Sequence, residues 1–183
     1  MLFRFLFSSL LTLISIFTFA QDESWDINKV AEPFSEVTIE SDEGTWMNLD
    51  LGPDGKNIVF DMVGDIYTMP ISGGKAKLLR EGHAWETQAR FSPDGTKISF
   101  TSDAGGADNI WIMNNDGSDA YQVTKEDFRL LNNAVWTPDG EYIIARKHFT
   151  SQRSLGAGEL WMYHYSGGSG IQLTKRKNDQ QDV

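Results

Sequence analysis

Three histidines are the residues of this chain best suited to acid–base chemistry or metal binding. They are His83, His148 and His164, and they stand far apart in the sequence. No two of them form a ligand pair such as His-x-His or His-Glu-x-x-His, the spacings that let two imidazoles reach one metal ion. His164 ends a predicted strand, where packing or a surface position is the simpler interpretation. We therefore predict no metal site in this segment.

Other motifs that carry chemistry in proteins also fail on spacing. Gly167-Gly168-Ser169-Gly170 is close to a nucleophile elbow, but Ile171 stands where the last glycine is needed. Residues 103–109 and 114–119 offer oxygen ligands without the twelve-residue calcium pattern and its terminal glutamate. The chain has no cysteine, which excludes thiolate chemistry and disulfide bonds. The sequence predicts neither a catalytic residue nor a bound cofactor in this segment.

The most regular feature of the chain is a Pro-Asp-Gly turn that occurs three times. Proline presets φ for a type I turn, aspartate suits the next position, and glycine tolerates the positive φ that follows. Apolar and polar residues alternate on both sides of each turn, which is typical of strands. The turns, which we predict to be structural, are Pro53-Asp54-Gly55, Pro93-Asp94-Gly95 and Pro138-Asp139-Gly140.

Two more short strands and a glycine-containing turn follow each Pro-Asp-Gly hairpin, so the repeat is 40 to 45 residues long. Four short antiparallel strands at this period predict a β-propeller blade. The fold class is therefore all-β: a partial β-propeller of three four-stranded antiparallel blades, with a continuous β-sandwich as the alternative. Because propellers close with about four to eight blades, we expect a fragment of a longer protein. Assembly of several copies into one ring is the other possibility.

The chain divides into a leader, a lead-in and the blades. Residues 1–20 combine Arg4, an apolar stretch and a small-residue cleavage site, which predicts a secretory signal peptide. An uncleaved membrane anchor is the alternative. Residues 21–43 form a lead-in, in which Val37-Thr38-Ile39 is a candidate ring-closing strand. The blades fill residues 44–183, at about 44–82, 83–126 and 127–176, and the sequence stops before a fourth.

The charge balance bears on partners and location. The formal net charge is −10 at pH 7, which argues against nucleic acid because phosphate binding needs clustered positive charge. With the signal peptide cleaved, no segment is expected to insert stably in a membrane. We therefore expect a periplasmic or secreted protein.

One end of each blade is predicted to carry the functional loops. In a meander, alternate turns lie at opposite edges, so the Pro-Asp-Gly turns and the glycine turns share one end and the longer connections share the other. Loops on a rigid scaffold are where binding is usually placed, although plain solvated connections are the alternative. The candidate interface residues are His83, Trp85, Glu86, Asp127, Arg129, Lys147, His148, Arg153 and Glu159.

The blade sequence resembles known propellers. Phe91-Ser92-Pro93-Asp94-Gly95, followed by Asp108-Asn109-Ile110-Trp111 and Gln122-Val123-Thr124, resembles the blades of TolB-like propellers. Such blades also occur in tricorn-type and prolyl-oligopeptidase-type peptidases. A closer resemblance, to the N-terminal propeller of large secreted amidohydrolases, is carried by residues 42–50, 125–133, 146–150 and 175–182.

The amidohydrolase resemblance implies a metal-dependent hydrolase of C–N bonds, in which this segment is a scaffold or a substrate-gating and docking domain. A divalent metal, expected to be zinc, would then lie on a catalytic domain beyond this segment, and the partners would be that domain and the remaining blades of the same chain. The alternatives are a TolB-like periplasmic protein-interaction module and the propeller cap of a prolyl-oligopeptidase-type serine peptidase. Gly52 and Thr137 replace the usual serine of the turn, which implies a weaker local cap within an unchanged fold.

Overall fold

The computed structural model describes residues 26, 27, 29, 33, 35, 37–149 and 158–175. The described residues contain twelve strands and no helix. The strands are β1 (Leu49–Leu51), β2 (Asn57–Met62), β3 (Asp65–Pro70), β4 (Lys77–Arg80), β5 (Glu86–Phe91), β6 (Lys97–Ser102), β7 (Asn109–Asn114), β8 (Tyr121–Gln122), β9 (Leu131–Trp136), β10 (Tyr142–His148), β11 (Gly158–His164) and β12 (Ile171–Gln172).

These strands form three separate four-stranded antiparallel meanders, each in simple sequence order. We name them blade 1 (β1–β4), blade 2 (β5–β8) and blade 3 (β9–β12). The all-β class and the partial propeller of three four-stranded blades are therefore confirmed. In blade 2, Ile98 pairs with Met113 and Phe100 pairs with Trp111. Directly opposed residues share a face of the sheet, so these four side chains lie together on one side.

Two apolar cores lie between the blades. The core between blades 1 and 2 consists of Val59, Ile66, Ala89, Ile98, Phe100 and Met113. The core between blades 2 and 3 consists of Ile110, Ile112, Val123, Leu131, Ala134, Ile143, Ala145 and Tyr163. Successive residues of a strand point to opposite faces, so blade 2 contributes one set of β7 side chains to each core.

Among the third strands, only that of the middle blade is buried on both faces. In β7, Ile110, Ile112 and Met113 are completely buried, whereas β3 and β11 each keep several half-exposed side chains. The reason is geometric, because blade 2 is packed on both sides and each outer blade has one neighbour among the described residues.

The Pro-Asp-Gly turns repeat one hydrogen-bond pattern. In blade 2, the Ser92 hydroxyl lies 2.6 Å from Asp94 Oδ1 and accepts the Lys97 N–H at 2.9 Å. Thr137 does the same in blade 3, reaching Asp139 Oδ1 at 2.5 Å and accepting the Tyr142 N–H at 3.0 Å. The expectation of a weaker cap at Thr137 is therefore wrong, since the threonine hydroxyl replaces that of serine.

Blade 1 has the same turn without this cap. Gly52 offers no hydroxyl, yet its N–H still donates to the Asn57 carbonyl at 2.8 Å, and the Gly55 N–H still donates to the Gly52 carbonyl at 2.8 Å. Gly55 has a φ of 68°, in the left-handed region that glycine favours. The backbone therefore makes the turn, and the hydroxyl only reinforces it.

The first strands of blades 2 and 3, β5 and β9, each have a register shift in their pairing with the next strand. A residue at or near this shift links each blade to the preceding one. Gln88 and Asn133 have positive φ values of 59° and 54°. The Gln88 N–H donates to Asp61 Oδ2 of blade 1 at 2.6 Å, and the Asn133 N–H donates to Gln88 Oε1 of blade 2 at 2.7 Å. At both blade junctions, therefore, a side-chain oxygen of one blade accepts a backbone N–H from the first strand of the next blade.

The predictions for the N-terminal segment concern a strand and a signal peptide. Val37-Thr38-Ile39, the candidate ring-closing strand, forms no strand here, and Val37 and Ile39 are exposed. A strand needs a partner edge, and none of the described residues supplies one to this segment. The signal peptide at residues 1–20 lies outside the described residues. Within the described residues, no helix is long and apolar enough to cross a bilayer.

Candidate functional site: the loop side

The two ends of the blades are built from different connections. The first and third strand connections of a blade meet at one end, where the Ile71 N–H donates to the Lys56 carbonyl at 2.8 Å and the Asn115 N–H to the Thr96 carbonyl at 3.0 Å. We call this end the tight-turn side; it comprises residues 52–56, 71–76, 92–96, 115–120, 137–141 and 165–170. The opposite end is the loop side, which comprises residues 63–64, 81–85, 103–108, 123–130 and 149.

Four of the candidate interface residues are exposed on the loop side. They are His83 and Trp85, in the connection from blade 1 to blade 2, and Asp127 and Arg129, in the connection from blade 2 to blade 3. Phe128, which the sequence did not single out, stands between the last two and is 59% exposed. An exposed aromatic ring flanked by one acid and one base is suited to an interface, where aromatics and arginine are enriched.

Trp85 is fixed to the scaffold although it is 49% exposed. Its backbone N–H donates to Asp103 Oδ1 at 2.7 Å. Its ring covers Gly64, where a Cβ would come within 2.9 Å of the indole. A side chain at position 64 would therefore displace the tryptophan. Trp85 thus presents a preorganised apolar surface, which lowers the entropic cost of binding.

Glu86 is buried, and it links the two ends of the connection from blade 1 to blade 2. Both of its carboxylate oxygens accept from Arg80 Nε, at 2.8 and 3.0 Å. The Arg80 guanidinium also lies 5.6 Å from the centre of the Phe100 ring. Burial raises the pKa of Glu86, and the hydrogen bond and charge of Arg80 oppose that rise.

Lys147 is also buried, and it links blade 3 to the connection between blades 2 and 3. Its Nζ lies 2.5 Å from Glu126 Oε1 and 4.4 Å from the centre of the Trp161 ring. The Asn109 side chain fixes the backbone of Glu126, accepting its N–H at 2.8 Å and donating to its carbonyl at 2.9 Å. The loop at 123–130 is therefore anchored at its base while its tip stays exposed.

The remaining candidates are interior or outside the described residues. His148 is 1% exposed, with Nε2 lying 3.0 Å from Asn132 Nδ2. Glu159 is buried and accepts a hydrogen bond from the Thr174 hydroxyl. Arg153 lies outside the described residues. We therefore withdraw the interface assignment for Glu86, Lys147, His148 and Glu159, which hold the chain's own segments together, and keep it as a prediction for the four exposed residues.

A small polar cleft opens beside these loops, between blades 2 and 3. Its volume is about 140 Å³, and its walls include Trp85, Gln88, Thr101, Asp108 and Asn132. Gln88 Oε1 accepts both the Thr101 hydroxyl, at 3.2 Å, and the Asn133 N–H, so the cleft is part of the link between the blades. No group of three histidine, aspartate or glutamate side chains is arranged for a metal ion in the part of the chain that the structure describes.

The curated relatives of this chain include two that match half of it or less. A tricorn protease homolog of Streptomyces coelicolor is 29% identical over 91 residues, which are 50% of this chain and 8% of that protein. An uncharacterised peptidase of Bacillus subtilis, YuxL, is 35% identical over 79 residues, which are 43% of this chain and 11% of that protein. The chain therefore spans a small fraction of each relative.

Solved structures share the fold. A TolB from Agrobacterium tumefaciens superposes with a TM-score of 0.62 at 23% identity, covering 72% of this chain and 50% of that one. A TolB from Acinetobacter baumannii gives a TM-score of 0.56 at 26% identity, covering 72% of this chain and 33% of that one. A puromycin hydrolase gives a TM-score of 0.57 at 15% identity, covering 73% and 22% of the two chains.

The family assignment rests on a match to a family model over more than half of the chain. The model of the tricorn protease N-terminal β-propeller domain matches residues 53–181, which include all three Pro-Asp-Gly turns and all strands except β1. The TolB-like superpositions agree with that match. The chain belongs to the tricorn protease N-terminal β-propeller domain family.

Proposed function

We propose that this chain is the non-catalytic propeller part of a larger exported hydrolase, and that its loop side packs against the catalytic domain and restricts access to it. The observation that carries the proposal is the contrast between the two ends. The tight-turn side repeats one hydrogen-bonded turn, whereas the loop side exposes dissimilar side chains such as Trp85, Phe128 and Arg129. Large exposed aromatics on anchored loops are typical of interfaces.

A peptidase is the host that the relatives support best. The family is named for a protease, two of the curated relatives are named as a protease homolog and a peptidase, and one superposed structure is a hydrolase. In such a host the propeller would limit the size of substrates that reach the catalytic serine. A Gly-x-Ser-x-Gly elbow in an α/β domain of the complete reading frame would support this candidate.

An amidohydrolase is the second candidate, supported by the resemblance carried by residues 42–50 and 125–133. In that host a divalent metal, expected to be zinc, would activate water for attack on an amide carbon. Its ligands would lie on the catalytic domain and would include a His-x-His pair. A reading frame that ends with the ring would instead support a TolB-like periplasmic interaction module.

The location and partners follow from the same proposal. Export with removal of residues 1–20 would place the protein in the periplasm or outside the cell. The partners would be the remaining blades and the catalytic domain of the same polypeptide. The net charge of −10 disfavours nucleic acid as a ligand.

The test is a charge reversal on each side of the protein produced from its complete reading frame. We expect Arg129→Glu, at the exposed tip of the loop side, to change kcat/KM for peptide or amide substrates about tenfold, equivalent to about 1.4 kcal/mol of docking energy. The matched control is Lys56→Glu, on an exposed tight turn. Equal effects of the two substitutions, or none from Arg129→Glu, would contradict the proposal.

A further inference from the structure

A groove opens on the tight-turn side, between the Pro-Asp-Gly turns of blades 2 and 3. Its volume is about 450 Å³. Trp136 and Tyr165 of blade 3 contribute aromatic side chains to its walls, and Pro93 and Pro138 also line it. We call it the aromatic groove. It lies at the end of the blades opposite the loop side, so it is separate from the surface on which the proposed function depends.

The junction of blades 1 and 2 has an equivalent groove, with a volume of about 380 Å³. The backbone around the two grooves is bonded in the same way. The Asn115 N–H donates to the Thr96 carbonyl at 3.0 Å in blade 2, and the Tyr165 N–H donates to the Glu141 carbonyl at 3.1 Å in blade 3. Tyr165 therefore occupies in the aromatic groove the position that Asn115 has in the earlier one.

The aromatic side chains of the later groove stand on a fixed frame. Trp136 replaces Phe91 of the earlier groove, since each is the last residue of the first strand of its blade. The Trp136 indole N–H donates to the Arg90 carbonyl at 3.3 Å. The Tyr165 carbonyl accepts the Tyr121 hydroxyl at 3.2 Å. The indole and the backbone of Tyr165 are therefore held before a ligand arrives, which lowers the entropic cost of binding.

Three exposed acidic residues also line the aromatic groove, namely Asp94, Asp139 and Glu141. Hydrogen bonds from neighbouring hydroxyls and backbone N–H groups lower the pKa of Asp94 and of Asp139, so both carboxylates are ionised at neutral pH. Lys97 adds one positive charge to the walls, and its Nζ donates to Asn114 Oδ1 at 3.3 Å. The groove therefore combines aromatic walls with an excess of negative charge.

We propose that the aromatic groove binds an arginine side chain of a peptide. A guanidinium is planar, so its face stacks on an aromatic ring while its edge donates hydrogen bonds to carboxylates. Trp136 and Tyr165 supply the rings, and Glu141 supplies the most adaptable carboxylate. Its side chain is 59% exposed, and its Oε2 lies 3.6 Å from His164 Nε2, which leaves the other oxygen able to accept from the ligand.

The occupant is a guanidinium for two reasons. The first is charge, because the carboxylates of the groove and the net charge of −10 attract cations and repel acidic peptides. The second is hydration. A lysine ammonium is more strongly hydrated than a guanidinium, so it loses more hydration free energy when it enters a groove with aromatic walls. The earlier groove, with Asn115 in place of Tyr165, offers one ring fewer at this position.

Ligand-observed NMR titration of the protein from the complete reading frame tests the proposal. The probe is N-acetyl-arginine amide, and the matched control ligand is N-acetyl-citrulline amide, which has nearly the same shape without the charge. We expect the arginine derivative to bind at least roughly tenfold more tightly than the citrulline derivative. Equal binding of the two ligands, or no binding of the arginine derivative at up to about 50 mM, would overturn the proposal.

Three variants of the complete protein assign the binding to this groove. Tyr165→Asn introduces the side chain of the earlier groove, and Glu141→Gln removes one exposed charge without touching the apolar core. Each should weaken binding of the arginine derivative about three- to fivefold. Asn115→Ala, at the equivalent position of the earlier groove, is the control and should leave binding unchanged. Unchanged binding in both test variants, as expected if the ligand sits on a catalytic domain instead, or an equal loss in the control, would overturn the proposal.

Discussion

The pKa values of the carboxylates are shifted in opposite directions at the two ends of the blades. On the tight-turn side, the Ser92 hydroxyl and the Thr96 backbone hydrogen-bond to Asp94 and lower its pKa. The pKa values of three other aspartates of that side are lowered in the same way, by hydrogen bonds from neighbouring residues; they are Asp54, Asp116 and Asp139. At the strand ends next to the loop side, burial raises the pKa of Asp65 and of Glu86.

This difference separates scaffold from candidate site. The tight-turn side uses one local solution in every blade, and its carboxylates are satisfied by residues two or three positions away. Next to the loop side, each connection between blades is stabilised by a different ion pair. Arg80–Glu86 stabilises the first connection and Lys147–Glu126 the second. A feature that repeats within the chain serves the fold common to the blades, whereas a feature that differs is free to serve a particular surface.

The largest effect is expected from Glu86→Ala, which removes a buried acid next to the loop side. Arg80 would lose both hydrogen bonds beside Phe100, and breaking a buried pair costs about 3–5 kcal/mol. Because Arg80 keeps a 27% exposed side chain that water can reach, we expect about 2–3 kcal/mol of lost stability. Urea unfolding measures it, with the exposed Glu81→Ala as control. A loss no larger than that of the control would refute the structural role of the pair.

Ser92→Ala tests the tight-turn side and should have a smaller effect. It removes the hydroxyl that accepts the Lys97 N–H, and a lost hydrogen bond at a buried site costs about 1–2 kcal/mol. Ser92→Thr should restore most of the stability, because Thr137 makes the same contacts in blade 3. Thermal unfolding of the three proteins decides the matter. If Ser92→Ala were as stable as the parent, the hydroxyl would not be a cap.

The opposite pKa shifts predict opposite pH dependences. The folded pKa of Asp94 is lowered, so the stability it contributes is present above its ordinary value of 3.8 and is lost as pH falls through the lowered pKa. The folded pKa of Glu86 is raised, so stability declines as pH rises from its ordinary value of 4.5 through the raised pKa.

Asp94→Asn should therefore make the acid loss of stability shallower, and Glu86→Gln should remove part of the decline on the alkaline side of pH 4.5. Unfolding free energies between about pH 3 and pH 8 test both variants in one series. The same change of slope in both variants would contradict the contrast between the two sides.

The smallest effect is expected from Thr137→Ser. Both hydroxyls can lie beside Asp139 and accept the Tyr142 N–H, so the change in stability should stay within about 0.5 kcal/mol. Differential scanning calorimetry against the parent protein measures it. A larger loss would mean that packing of the Thr137 methyl group, which serine lacks, stabilises blade 3.

The local parts of this fold are readable from the sequence, and the long-range parts are not. Pro53, Pro93 and Pro138 predict turns because turn geometry depends on adjacent residues. The burial of Lys147 depends on Glu126, 21 residues away, and on the Trp161 ring of the next strand, and no local pattern encodes these contacts. Phe128 was missed for the same reason, since only the anchored base of its loop shows that its ring stays outside.

The most direct measurement is hydrogen exchange on the complete protein compared with the 183-residue chain. If the loop side packs against a catalytic domain, amides of residues 81–85 and 123–130 will exchange more slowly in the complete protein, while those of residues 92–96 and 137–141 will be unchanged. Unchanged exchange on the loop side, or protection of the tight-turn side instead, would contradict the account.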